Sequence, residues 1–333
     1  MTTVSVALAT YNGERFVAEQ VTSILTQSRP PTELVVADDG STDATLDVIR
    51  DVHGRLGASV ALRVLEAEGR LGVTANFERA LRACTGELIA LSDQDDVWHP
   101  DRLAAAVPSF EVRPELLLQH SDARLVDGEG SPIGAGLLDA LWVSPGERRE
   151  IAEGRAFEAN LRRNLVTGAT VLLRRSLLEH ALPIPDSWVH DEWLAIVAAS
   201  TGQVELLDAA LIDYRQHGGN QIGATKPTLR YRIGRMLEPR GDRYERLARR
   251  AQALAERLET LPVSPERRGA ARDRARFDRV RAGLSRHRVA RLGPVLREYR
   301  AGSYRRLSSQ GTLDVARDLL QPAGRSPRDG IRA

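Results

Sequence analysis

Along the first hundred residues, short apolar runs alternate with longer stretches in which apolar residues recur at helical spacing. The runs VSVALAT (4–10), ELVVADD (33–39), VALRVLE (60–66) and ELIALSD (87–93) are close to continuously apolar and mostly rich in branched residues. Between them lie ERFVAEQVTSILTQ, STDATLDVIRDVHGRL and TANFERALRACTG. A strand that is apolar on both faces must be covered on both, and helical connections of roughly ten to fifteen residues supply that cover. The pattern therefore predicts an α/β fold with a doubly wound, mostly parallel sheet. The polar stretch Ser41–Asp43 predicts a helix start at that point, because a Ser or Thr cap followed by an early acid suits a helix N-terminus.

In sheets of this kind ligands bind beyond the carboxyl ends of the strands. Here those ends read Thr10-Tyr11-Asn12, Asp38-Asp39-Gly40 and Asp93-Gln94-Asp95-Asp96. Three strands thus deliver polar and acidic groups to one edge, which predicts a site there.

Past Pro100 the helical DRLAAAVPSFEV leads to LLLQHSDARLVD and a Gly-rich loop, GEGSPIGAG. A second group of elements follows: NLVTGATVLLRRSLLEHAL (164–182), PDSWVHDEWLAIVAASTG (185–202) and QVELLDAALIDYRQHGGNQ (203–221). After Thr225 the composition changes to Arg-rich amphipathic helix, with Leu247, Leu254, Leu258 and Leu261 at helical intervals. The expected organisation is a domain over 1–224, divided near residue 100, and a basic helical extension over 225–333 that ends in a loose tail.

Charge sharpens that division. The net charge is only +2, yet residues 225–333 hold 28 basic against 12 acidic side chains, and residues 1–224 hold 19 against 33. A +16 segment suggests three partners: anionic lipid, nucleic acid, or the chain's own acidic domain. Base-reading motifs and interleaved aromatics are absent, which argues against nucleic acid. Peripheral membrane contact through 225–320 is the expectation, since each basic residue near an anionic surface contributes about 1 kcal/mol. No run approaches the ~20 apolar residues of a spanning helix, and no basic leader precedes the first strand, so a cytoplasmic location is expected, with the inner membrane face as a candidate place of work. The single cysteine, Cys84, excludes an internal disulfide and a cysteine zinc cluster, and reads as buried packing.

Close-set Asp residues at a strand end can bind a hard cation, act as an acid/base pair, or cap the next helix. Alternate strand residues share a direction, so Asp93 and Asp95 can face one ion. Mg²⁺ or Mn²⁺ held by one or two carboxylates completes its shell with water and substrate phosphates. Taken alone, SDQDDVW fits a helix cap at least as well.

The motifs TYNGERFVAEQVTSILTQ, VVADDGSTDAT and SDQDDVWHPDRL together resemble the nucleotide-sugar-binding half of the family 2 glycosyltransferases, whose fold is called GT-A. TGATVLLRR, HDEW and YRQHGGNQIG resemble the acceptor half, and look most similar to bacterial rhamnosyltransferases of surface polysaccharide. The resemblance covers residues 1–223 in the correct order. It implies a nucleotide-sugar pocket lined by Thr10, Tyr11, Asn12, Asp38, Asp39, Asp93, Gln94 and Asp95. It implies Mg²⁺ or Mn²⁺ as cofactor, with Asp95, Asp96 and His217 as ligands, and Asp191 as the general base, with Glu192 as its alternate. The donor would be a dTDP- or UDP-sugar and the acceptor a glycan or lipid-linked sugar. A Mg²⁺-dependent nucleotidyltransferase would use similar parts, but TYNGERF lacks the Gly-rich basic phosphate loop expected after the first strand. A sugar-nucleotide-binding scaffold is the remaining alternative. His190 and Trp193 read as packing, Trp98 as part of the pocket floor, and Gly168 as a point of close approach.

Overall fold

A computed structural model describes residues 2–67, 69–216, 239–322 and 324. The chain divides into two compact units, residues 1–156 with 165–224, and residues 157–164 with 225–333. His217, the GGNQIG stretch, the Thr225 boundary and the C-terminal tail lie outside the described residues.

Among the described residues the first unit is built on a nine-stranded sheet in the order β3-β2-β1-β4-β8-β6-β9-β5, with β7 (Pro132–Gly136) paired to β6. Its N-terminal half holds β1 (Val4–Thr10), β2 (Glu33–Asp38), β3 (Ala61–Glu66) and β4 (Leu88–Ser92), all parallel. The other half is mixed: β8 (Leu172–Arg174) runs antiparallel to β4 and β6 (Leu116–Val126), whereas β9 (Gln203–Arg215) runs parallel to β6. Two-residue β5 (Val97–Trp98) closes on β9, pairing Val97 with Asp213.

Why the helices form is visible in their buried faces. From one side of the sheet Val4, Val6, Leu8, Leu34 and Val36 pack against Val17, Val21 and Ile24 of α1 (Val17–Leu25), Ile49 and Val52 of α2 (Thr45–Leu56) and, further along, Leu103 and Phe110 of α4 (Arg102–Val112). Phe77 and Leu81 of α3 (Val73–Ala83) are buried outside that cluster, and α3 touches the later helix that carries HDEW. Both faces of β1, β2 and β4 are covered, which is why their sequences run apolar without alternation, whereas the edge strand β3 is partly exposed and carries Arg63 and Glu66. Cys84 follows α3, buried, and its thiol is pushed up to about 12 by burial and by Glu33, as fits packing.

One expectation fails. The helix does not start at Ser41. It starts at Thr45 after Ala44, which offers no side-chain cap; Ser41 is drawn to the β2 turn, while Asp43 sits just ahead of the helix and bonds its first residue. Ser41 donates to Asp38 (2.6 Å) and Asp43 accepts the backbone N–H groups of Thr45 (3.0 Å) and Glu14 (3.1 Å).

His120, on β6, is buried with no hydrogen-bond partner on either ring nitrogen, and burial depresses its pKa to about 4 from an ordinary 6.5. Below pH 6.5 the unfolded chain takes up a proton here that the folded chain refuses until about pH 4. The stabilising contribution of the neutral ring is thus full above 6.5 and lost as pH falls through that window, at up to roughly 1.4 kcal/mol per pH unit. His120→Leu should flatten the acid limb of the stability curve between pH 4 and 6.5, measured by urea unfolding; an unchanged limb would refute this.

The second unit is helical. It contains α7 (Ala156–Arg162, from Phe157 onward), α10 (Arg243–Thr260), α11 (Pro265–Ala282), α12 (Arg288–Arg300), α13 (Ser303–Leu307) and α14 (Thr312–Leu320). The short helices α5 (Leu137–Ala140), α6 (Pro145–Ala152) and α8 (Leu178–Ala181), and α9 (His190–Thr201), belong to the first unit. Several arginines are internal. Arg281 pairs with Asp318 (2.7 and 3.1 Å), which also accepts from Tyr304 (2.8 Å), and fully buried Arg291 donates to the carbonyls of Ser285, Asp318 and Gln321.

Candidate active site

The three strand ends singled out in the sequence meet at one edge of the sheet. Buried Thr10 donates to Asp38 Oδ1 (2.8 Å), and Asp38 also accepts the N–H groups of Gly40 (3.1 Å) and Ser41 (2.7 Å) and the Ser41 hydroxyl. Its carboxylate is therefore committed to shaping the β2 turn. Asp39 is likewise engaged: Oδ1 accepts from Leu71 N–H (2.6 Å) and Oδ2 from Gly72 N–H (3.0 Å), tying the loop before α3 to the site. Asn12, with a positive φ of 46°, accepts from Thr42 N–H (2.9 Å) through Oδ1 and donates its own N–H to Ser41 Oγ (2.9 Å). The Tyr11 ring lies under the Arg70 guanidinium, 4.3 Å from ring centroid to Cζ.

Gln94 clamps the first strand end to the fourth. Its Oε1 accepts from Tyr11 N–H (2.8 Å) and its Nε2 donates to Tyr11 C=O (3.0 Å). Gly13 leaves room for this amide, since a Cβ there would sit 2.3 Å from Gln94 Oε1. Gly13→Ala should expel Gln94, break both bonds and cost about 2–3 kcal/mol. Thermal unfolding should show the loss, and Gln94→Ala added to Gly13→Ala should restore part of the stability. A Gly13→Ala chain as stable as wild type would contradict the clamp.

Asp93–Asp96 form the loop between β4 and β5, and helix α4 begins only at Arg102, so these acids do not cap it. Burial and the charges of Asp95 and Asp191 hold the Asp93 carboxyl up to about 7. Burial, then Asp95 and Asp93, push Asp96 well above the usual carboxylate range. Asp96 is 1% exposed; its Oδ1 accepts from Arg215 N–H (3.0 Å), while its Oδ2 has no hydrogen-bond partner among the described residues. Tyr214 is pushed up by burial and by Asp93, Asp96, Asp95 and Asp191 together. Four carboxylates therefore converge on one region. Among the described residues no three His, Cys, Asp or Glu side chains form a ready metal cage.

Asp191 stands in the first turn of α9, where Oδ2 accepts from Gly168 N–H (3.0 Å) and Oδ1 from Glu192 N–H (2.7 Å). Gly168 permits this approach: a Cβ there would lie 2.9 Å from His190 Nε2 and 3.4 Å from Asp191 Cβ. His190 is buried against Phe77, ring centroids 4.0 Å apart, and buried Trp193 donates to Ala181 C=O (2.6 Å).

Comparison with known proteins identifies the family. The family model described as "Glycosyl transferase family 2" matches residues 5–180, more than half of the chain. The chain belongs to glycosyl transferase family 2. The transferase is 29% identical over 222 residues to an uncharacterized glycosyltransferase of Nostoc sp., covering 65% of this chain and 66% of that one. It spans 58–66% of the length of the first curated relatives it matches. Among solved structures, residues 1–349 of TarS from S. aureus in complex with UDP-GlcNAc superpose with a TM-score of 0.56 at 20% identity, over 96% of this chain and 90% of that one. The mannosyltransferase PcManGT of Pyrobaculum calidifontis, in complex with GDP-Man and Mn²⁺, gives 0.55 at 20% identity, over 91% and 76%. At that identity the likeness shows the GT-A fold alone. Family membership sets aside the nucleotidyltransferase reading, and none of the relatives named above is described as a rhamnosyltransferase.

Sequence reading of the transferase missed two arginines. Arg215 joins the strand ends: besides Asp96, it donates to Asp95 C=O (2.8 Å), Gly128 C=O (2.9 Å) and Glu19 Oε2 (2.5 Å), at 4% exposure. Arg102 is buried 3.7 Å over the Trp98 ring, and burial lowers its pKa to about 9 despite the opposing pull of Asp96. Both lie inside motifs quoted above, Arg102 in SDQDDVWHPDRL and Arg215 in YRQH, and that membership is the sequence signal for them.

Proposed function

We propose that this transferase is inverting and metal-dependent, moving a sugar from a nucleoside diphosphate to a hydroxyl of a glycan or lipid-linked acceptor in surface polysaccharide synthesis, with rhamnose among the candidate sugars. The observation that carries this reading is the convergence of Asp93, Asp95, Asp96 and Asp191 at the strand ends. In this reading Thr10, Tyr11, Asn12, Asp38, Asp39, Asp93, Gln94 and Asp95 form the donor pocket. Asp38, Asp39 and Gln94 act there chiefly by fixing backbone, since their polar atoms are already engaged.

A divalent cation fits the residues present. Asp96 keeps a buried oxygen without a partner, and the mutual repulsion of the neighbouring carboxylates is what a bound cation relieves. Asp95 and Asp96 would hold it, with His217 as a third candidate ligand outside the described residues. Two carboxylates without a full cage suit Mg²⁺ or Mn²⁺, which fill their shells with phosphate and water. When bound, such an ion supplies positive charge to the departing diphosphate.

The chain's own groups do the rest. Asp191, held by two backbone N–H groups, accepts the proton of the acceptor hydroxyl as that oxygen bonds to the anomeric carbon from the face opposite the leaving group. The C–O bond to the diphosphate breaks, the nucleoside diphosphate departs with the electron pair, and one displacement inverts the centre. Nucleoside diphosphate release from a panel of UDP-, GDP- and dTDP-sugars, wild type against Asp191→Asn, tests the reading. Tight binding of a donor with neither transfer nor hydrolysis would favour a scaffold instead.

A further inference from the structure

Helix α12 (Arg288–Arg300) buries one face, through Arg291, Val295 and Glu298, and among the described residues its other face is exposed. On that open side Val289 is 79% exposed, Leu292 46%, Leu296 43% and Tyr299 51%. Spacings of three, four and three residues align these side chains in one stripe. Scattered exposed apolar residues are ordinary, but four aligned on a single helix face mark a contact surface.

The rim of the stripe carries one sign of charge. Arg286, Arg288, Arg297 and Arg300 are exposed beside it, and Arg305 and Arg306 follow in α13. Glu298 is the only acid from residue 279 to 313. It is 2% exposed, and its carboxylate accepts from Arg276 (2.5 and 3.1 Å) and the Ser303 hydroxyl (2.7 Å). Among the described residues, Arg306 lies 3.7 Å from Asp273, and the charge of Arg297 acts on the buried Glu298, which is already paired with Arg276. The surface therefore joins an apolar stripe to arginines with almost no local counter-charge.

We propose that α12 docks the protein on an anionic bilayer surface, with Val289, Leu292, Leu296 and Tyr299 entering the boundary between headgroups and acyl chains and the flanking arginines on lipid phosphates. An amphipathic helix lying in the interface binds through both terms at once, buried apolar area and attraction to anionic lipid. Tyr299 suits the end of such a stripe, with an apolar ring and a polar tip. This narrows the expected membrane contact from the whole basic segment 225–320 to one helix face, and it does not rest on the sugar-transfer reading.

The test is co-sedimentation of the full chain with vesicles of phosphatidylcholine alone, or mixed with phosphatidylglycerol. Wild type should partition into the mixed vesicles roughly tenfold or more over the neutral ones. Leu292→Glu with Leu296→Glu, and separately Arg288→Gln with Arg297→Gln and Arg300→Gln, should each lose about that factor while retaining the wild-type thermal midpoint, since all five side chains are exposed. If the Glu variant misfolds, Leu292→Ser with Leu296→Ser replaces it. A polarity-sensitive dye on Leu292→Cys should shift to the blue on mixed vesicles; buried Cys84 will not compete for the label. Variants that sediment like wild type, or a wild type indifferent to both vesicles, would overturn the proposal. So would a dimer in solution that the Leu292 and Leu296 changes dissociate, because the stripe would then serve a second copy of the chain.

Discussion

Asp191→Asn should lower sugar transfer by about 10²–10⁴-fold, the range for loss of a positioned general base, while donor affinity stays within about twofold. The substitution is nearly isosteric, so it removes the basic electron pair without emptying the site. It is not silent structurally. Asp191 accepts two backbone N–H groups, from Gly168 and Glu192, and an amide offers one oxygen and one NH₂. One N–H loses its acceptor, at a cost of about 1–2 kcal/mol, so a fall of a few degrees in the thermal midpoint should accompany the kinetic loss. The effect should therefore appear in kcat at saturating donor rather than in KM for donor. Glu192→Gln is the control, because Glu192 is the neighbouring carboxylate and the alternate base. Transfer within tenfold of wild type in Asp191→Asn, or a larger loss in Glu192→Gln, would move the base away from Asp191.

What the sequence makes legible here is whatever depends on local pattern. The four parallel strands fall within a residue or two of their expected bounds, since continuous apolar runs and covered strands have the same cause. The meeting of TYN, DDG and DQDD at one edge follows from parallel topology. The partners of each side chain do not follow, because they depend on distant loops. Asp39 spends both oxygens on Leu71 and Gly72, and Gln94 spends its amide on Tyr11, eighty-three positions away. The Ser41–Asp43 stretch has the composition of a helix cap, yet Ser41 serves Asp38 and only Asp43 reaches the first helical residue, Thr45, so helix α2 starts later. Arginines are seldom buried, so the sequence gives no reason to place Arg102 and Arg215 inside. Only the folded chain shows that they lie among the carboxylates, where a buried positive charge limits the repulsion. The Arg-rich C-terminal segment is similar: composition shows the excess of charge, whereas the burial of Arg281 and Arg291 and the exposure of the α12 rim decide where that charge faces.

Removing divalent ions should lower transfer by roughly 10²-fold or more, the equivalent of several kcal/mol of leaving-group stabilisation. The same ions should raise the thermal midpoint of the nucleotide-bound transferase by about 5–10 °C when present well above their dissociation constant. Any metalloprotein could show an upshift; the response of the carboxylates separates a cation site from a structural cluster. Asp93 is held up to about 7 in part by the charge of Asp95, and Asp96 is pushed up by burial and by both of these neighbours. Asp95→Asn removes a repelling charge, so without ions it should unfold no earlier than wild type, yet it should lose the ion's upshift and most of its transfer. Asp96→Asn should behave differently. Asp96 is the carboxylate that opposes the buried Arg102 charge, and its Oδ1 receives Arg215 N–H, so an amide there weakens the hold on a buried cation. That variant should lose the ion's upshift and also start from a lower midpoint. If both variants keep the full upshift, the ion binds elsewhere; if both lose stability equally without ions, the loop between β4 and β5 is a structural cluster and the cation reading of SDQDDVW is wrong.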